Sequence, residues 1–227
     1  MKDNSAAYSS NDYDSRIESV LPYYDEFHRQ IIDLVKAVYP NKSEIKWLDT
    51  GCGTGSLAHK ANEQTEKIKF TLCDPSQGML EKARQKLVGV DAQYRCISSQ
   101  MLDYEDEFDV VTAVQSHHYL SVEQRKQATQ KCFRALKNGG IYVTFENIML
   151  SSAESDSLGI KRWENYLRSY GKTEQEVQAH INRRGTEVFP ITIKEQLELL
   201  RTCKFATADV LWASYMQAGF FAIKKGI

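Results

Sequence analysis

What this 227-residue sequence lacks narrows its function first. Neither sign of charge dominates: 29 Lys+Arg stand against 30 Asp+Glu, and no block of five or six like charges occurs. A protein that grips duplex nucleic acid carries a basic face, so bulk nucleic-acid binding is not expected. No apolar stretch approaches the roughly 18 residues needed to span a bilayer. The polar opening, MKDNSAAYSSNDYDS, has no basic region followed by an apolar run, so it does not read as a signal peptide. A cytoplasmic, membrane-free protein is expected. The cysteines are Cys52, Cys73, Cys96, Cys132 and Cys203. Their number is odd and no CxxC spacing occurs, which argues against a disulfide framework and a zinc site. They read as small buried hydrophobes. There is no internal repeat and no low-complexity segment.

What is present suffices for a core. Hydrophobic residues make up 42% of the chain, including 12 Tyr, 9 Phe and 3 Trp, and the length suits one large domain. From Asp25 onward, Phe27, Ile31, Ile32, Leu34, Val35 and Val38 recur at helical spacing, with Pro22 placed to start that helix. IKWLDTG is an apolar run ending in glycine, read as a buried strand, and 57–66 reads as a helix. KFTLCDP, AQYRCISS, FDVVTAVQS and GIYVTFENIML read as further strands. SQGMLEKARQKL reads as a helix, as does SVEQRKQATQKCFRALK, with Gly139-Gly140 as its stop. This alternation predicts a parallel sheet with helices on both faces. It breaks over 152–189, where two helical stretches replace any strand signal. A last helix, TIKEQLELLRTC, precedes TADVLWAS and AGFFAIKK, two strands with a short join that predicts an antiparallel pair.

The informative segment is Trp47-Leu48-Asp49-Thr50-Gly51-Cys52-Gly53-Thr54-Gly55-Ser56, a strand, a glycine-rich turn and the start of a helix. Such a turn lets a ligand lie against backbone and offers it free helix N–H groups. Asp74 ends the next strand, where an acid can accept hydrogen bonds from a ribose diol; capping a helix is the plainer role for it, as for Asp49. A dinucleotide site calls for G-x-G-x-x-G, but Ser56 leaves G-x-G-x-G here, with Asp49 two positions ahead.

That pattern resembles motif I of the class I S-adenosylmethionine-dependent methyltransferases. CDPSQGMLEKAR, FDVVTAVQSHHYL, LKNGGIYVTFE and the final AGFFAIKK resemble the later motifs of that family, so the likeness covers roughly 40–150 and 190–226. The resemblance implies an α/β, Rossmann-like, doubly wound seven-stranded sheet with an antiparallel last strand. It implies an N-terminal helical lid (1–39) on a methyltransferase domain (40–227) that carries a helical insertion (152–189). It implies S-adenosyl-L-methionine as cofactor, with Asp49 at the cationic methionyl end, Gly51, Cys52 and Gly53 under it, Asp74 and Pro75 at the ribose and Met79 near the adenine. Ser98 and Ser99 stand where many relatives have Asp-Ala. Gln115 ends the strand facing the methyl group, and Tyr13 is the expected lid contact.

Methyl transfer needs position and exclusion of water more than elaborate catalytic groups. His117 and His118 are the candidate bases; packing under the sheet edge is the alternative for either. Tyr24, Glu146 and Tyr215 are expected at the acceptor, while Arg183 and Arg184 read as an acid-binding or a solvated pair. No metal site is expected. The reading is a methyltransferase for a small-molecule acceptor, and a homodimer is compatible with it. The alternatives are a tRNA-modification enzyme related to the carboxy-S-adenosylmethionine synthases, which the segment YDSRIESVLPYYDEF resembles, and a non-catalytic cofactor-binding regulator.

Overall fold

A computed structural model describes residues 8–65 and 67–225. The elements run α1 (Tyr13–Arg16), α2 (Tyr24–Val38), β1 (Ile45–Thr50), α3 (Ser56–Gln64), β2 (Ile68–Cys73), α4 (Gln77–Lys86), β3 (Ala92–Arg95) and β4 (Phe108–Val114). They continue with α5 (Val122–Ala135), β5 (Leu136–Met149), α6 (Ala153–Ser169), α7 (Glu174–Ile181), β6 (Ile191–Thr192), α8 (Ile193–Thr202), β7 (Thr207–Ser214) and β8 (Gln217–Ile223). The sheet order is β3-β2-β1-β4-β5-β8-β7, with the two-residue β6 paired to β5 off that path. β8 is antiparallel to both β5 and β7, and the other pairings are parallel. The expected doubly wound sheet with a reversed last strand is therefore present.

Successive strand residues face opposite sides, and the core divides accordingly. Trp47, Val110, Ile141 and Phe145 pack with α2, α3 and α6 on one face. Leu48, Val111 and Tyr142 pack with α5 and α8 on the other. Four of the five cysteines are buried and Cys96 is exposed; all five are free. Among the described residues no helix is long and apolar enough to cross a membrane.

Two boundaries differ from the sequence reading. Gly139 and Gly140 do not stop a helix: α5 ends at Ala135, and both glycines lie within β5. The register against β4 shifts between Phe108 and Val110, so they sit where the strand accommodates an irregularity. Pro22 lies outside α2, whose N-cap is Tyr23 in a left-handed conformation, φ 60°. Part of the polar opening, 1–7, lies outside the described residues; 8–16 are folded back onto the domain, where Asp14 pairs with Lys86 at 2.7 Å.

Trp47, at the centre of β1, donates from Nε1 to Thr112 Oγ1 (2.9 Å), and that hydroxyl donates to Asp49 Oδ1 (2.7 Å). All three groups are buried. Thr112→Val keeps the shape but strands an indole N–H and removes a donor from a carboxylate. A loss of about 1–3 kcal/mol in unfolding free energy is expected from urea denaturation, with an unchanged m-value.

Candidate active site

The site lies at the C-terminal ends of β1, β2 and β4, where the strand order reverses across β1 and β4, as open α/β sheets dictate. β1 delivers Asp49 and then turns sharply. Gly51 sits at φ +68°, and a Cβ there would meet Ser116 Cβ at 2.4 Å. Gly53 sits at φ +55° with open space where its Cβ would be. Asp74, at the end of β2, fixes this turn: its Oδ2 accepts from Gly53 N (2.9 Å) and its Oδ1 from Ser76 N (2.8 Å).

A cavity of about 260 Å³ opens beneath the turn, lined by Gly51, Gly53, Asp74, Pro75, Ser76, Met79, Ser98, Ser99, Gln100, Gln115, Ser116 and Tyr119. A smaller recess continues from it, lined by Tyr24, His28, Asp49, Cys52, Thr54 and Ser56. A second cavity, about 40 Å³, lies on the other side against Gln115, His118, Tyr119, Asn147, Arg183 and Arg184. Tyr13 borders all three spaces. Burial pushes the Tyr13 and Tyr24 hydroxyls up, so both stay protonated, and Tyr13 donates to Tyr24.

Electrostatics separate these spaces. Burial pushes the Asp49 carboxyl up to about 7, opposed by the Thr112 hydrogen bond and reinforced by the charge of Asp74. Such a group calls for a cation beside it. Burial raises the Cys52 thiol well above its ordinary range, so it remains a neutral wall. Across the second cavity, Glu146 Oε2 accepts from His118 N (2.8 Å) and lies 2.9 Å from His118 Nδ1. Thr144 donates to Glu146 Oε1. Burial pushes Glu146 up, but the His118 hydrogen bond and the nearby His118, His117 and Arg125 charges outweigh it and hold the carboxylate below its usual range. Glu146 Oε2 and the Asn147 N–H, which donates at 3.2 Å, both meet His118 at Nδ1, so Nε2 is the ring nitrogen turned away from this pair.

Similarity to known proteins agrees with this geometry. The profile of a family described as a methyltransferase domain matches residues 48–140, from the end of β1 into β5. Residues 48–140 therefore carry a methyltransferase domain. A carboxy-S-adenosyl-L-methionine synthase of Nautilia profundicola is 22% identical over 93% of this chain and 90% of its own length. One of Wolinella succinogenes is 27% identical over 94% and 90%. The crystal structure of the CurJ carbon methyltransferase superposes with a TM-score of 0.72 at 14% identity, covering 96% of this chain and 60% of that one.

The structure places the residues expected from the sequence as follows. Tyr13, Gly51, Gly53, Asp74, Pro75, Met79, Ser98, Ser99 and Gln115 line the large cavity. Asp49 and Cys52 line the recess. These residues fit S-adenosylmethionine: open space at Gly53, a carboxylate at the end of β2, and a buried acid suited to an ammonium. Four expectations are corrected. Tyr24, expected at the acceptor, lines the recess beside Asp49. Glu146 is buried and spent on His118 and Thr144, so it orients rather than contacts. Tyr215 packs on Tyr23, Tyr166 and Arg162, away from these cavities. His117 turns into the opposite face of the sheet, where its Nδ1 lies 3.2 Å from the Tyr142 hydroxyl and burial lowers it to about 4. Arg184 is held by Asp156 and the Ile148 carbonyl, and Arg183 by Glu187. Ser76, Gln100, Ser116 and Tyr119 were not anticipated; their signal is position, directly after a strand end or beside a motif.

Asp49 sets a pH dependence. Its folded value stands above the unfolded one, so its ionisation costs stability as pH rises through that interval. A bound ammonium reverses the preference. Affinity for S-adenosylhomocysteine should therefore rise with pH up to about 7, by at most about tenfold per unit, and level off above it. Calorimetry in buffers of differing ionisation enthalpy should show proton release on binding below pH 7, and a pH-independent affinity in Asp49→Asn.

Proposed function

We propose that this protein transfers the methyl group of S-adenosylmethionine to a small molecule seated in the second cavity, with His118 taking the acceptor's proton. The observation that carries this reading is His118, on the wall of a cavity that shares Tyr13, Gln115 and Tyr119 with the cofactor cavity, with buried Glu146 2.9 Å behind it. When bound, the cofactor supplies a methyl group made electrophilic by its sulfonium. The chain supplies the rest. Asp49 and Asp74 fix the cofactor's two polar ends. Gln115 is set by its backbone: it sits at φ 51°, donates from N to Phe145 O (2.7 Å), and has its side-chain Nε2 tied to Gln217 (2.9 Å). Its side chain is thereby held at the boundary between the two cavities. His118 accepts a proton at Nε2, and the Glu146 carboxylate steadies the imidazolium that results. Tyr13 and Tyr119 close the space against water.

A second reading is favoured by the curated relatives. The carboxy-S-adenosyl-L-methionine synthases match 93–94% of the chain. In that reading the second cavity serves a reaction on the cofactor's own methyl carbon rather than transfer from it.

Two measurements separate these readings. Purified protein and S-adenosylmethionine, with a panel of small acceptors in one arm and of small carboxylic acids as carboxyl donors in the other, are followed by mass spectrometry. Release of S-adenosylhomocysteine with a methylated acceptor supports transfer; a cofactor heavier by a carboxyl group supports the second reading. In His118→Gln, turnover should fall by about 10²–10⁴-fold, with S-adenosylhomocysteine affinity within about twofold of wild type. Undiminished turnover in that variant would exclude His118 as the base.

A further inference from the structure

We infer that His28, on the N-terminal helix α2, is an anchor for the amino-acid end of the cofactor, with Nδ1 accepting a hydrogen bond from the ammonium that Asp49 faces. The inference rests on the cofactor site described above and adds to it a residue outside the glycine-turn, β2 and β4 motifs. His28 occupies the buried face of α2, 2% exposed, between Phe27 and Ile31. A hydrocarbon side chain would satisfy that position. The imidazole instead leaves Nδ1 buried without a hydrogen-bond partner, an arrangement that costs stability unless something fills it. The ring is part of the wall of the recess that also holds Asp49, Tyr24 and Thr54. Tyr24 packs edge-on against it, centroids 4.8 Å apart at 71°, so its orientation is set before any ligand arrives.

The charge state suits the role. Burial lowers His28 to about 3, helped by Lys60 and Lys86 and opposed by Asp25. The ring is therefore neutral at physiological pH and keeps one unprotonated nitrogen. An imidazolium would repel an ammonium, whereas a neutral imidazole accepts from it. The two groups divide the work: Asp49 supplies charge, and His28 supplies direction without adding a second buried anion.

The test compares S-adenosylhomocysteine with 5′-methylthioadenosine, which keeps the adenosine and sulfur and lacks the amino-acid end. Both are titrated calorimetrically into wild type, His28→Phe and His28→Asn. His28→Phe retains the ring against Tyr24. It should weaken S-adenosylhomocysteine about 10- to 150-fold, the range of one hydrogen bond to a charged group, and leave 5′-methylthioadenosine within about twofold. His28→Asn should recover part of the loss. Equal losses for both ligands, or none for either, would overturn the inference and make His28 a packing residue. Wild-type protein that binds neither ligand would instead remove the cofactor reading beneath it. Histidine-selective ¹⁵N NMR of wild type gives an answer independent of variant folding. The His28 Nδ1 resonance should shift on adding S-adenosylhomocysteine and stay in place with 5′-methylthioadenosine; an unmoved resonance with both ligands contradicts the inference.

Discussion

A carboxylate held in the protein interior is the constraint on which this site turns. Asp49 is 2% exposed at the end of the central strand and, among the described residues, receives a hydrogen bond from Thr112. Desolvation of such a group is expensive, and a single hydroxyl does not offset it. The fold accepts the cost because Thr112 is itself positioned by the Trp47 indole, deep between β1 and β4. Core packing and ligand binding are thus coupled: the contacts that align the two central strands also aim the acid at the recess. A ligand bearing a cation relieves the penalty, so binding and stability draw on the same residue.

The second organising feature is the wall built around that recess. α6, from the helical insertion, donates from Trp163 Nε1 to Val20 O (2.8 Å) and from Tyr166 to Glu18 O (2.5 Å). Asp14 accepts from Thr54 (2.5 Å) and pairs with Lys86, while Lys60 pairs with Asp25 of α2. The N-terminal segment is therefore pinned on one side by the insertion and on the other by the glycine turn and α4. These surface pairs are individually weak, and the buried Trp163 contact is the stronger tie. The result places Tyr13 where the large cavity, its recess and the second cavity meet.

Much of this was legible in the sequence because strand and helix periodicity survives in single residues. The alternation of Trp47 with Leu48 and of Val110 with Val111 forecasts a sheet covered on both faces, and Gly51, Gly53, Asp49 and Asp74 announce a site by spacing alone. What was not legible depends on directions set by three-dimensional context. His117 and His118 are neighbours, but a tight 3₁₀ turn sends one into the core beside Tyr142 and the other toward the cavity. Glu146 reads as an acceptor contact until the pairing of β4 with β5 brings it onto His118. Gly139-Gly140 imitates a helix stop because the same residue serves a strand irregularity equally well. His28 is hidden in an apolar helix stripe, where nothing in the pattern distinguishes a polar wall from core.

Cofactor binding depends on the turn fixed by Asp74. The most direct measurement is calorimetric titration of S-adenosylhomocysteine into wild type and Asp74→Asn. The account predicts one site per chain with micromolar affinity, weakened at least about tenfold in the variant, since one acceptor toward Gly53 N or the ribose is lost. Equal affinity in the two proteins, or no binding to wild type, would contradict it.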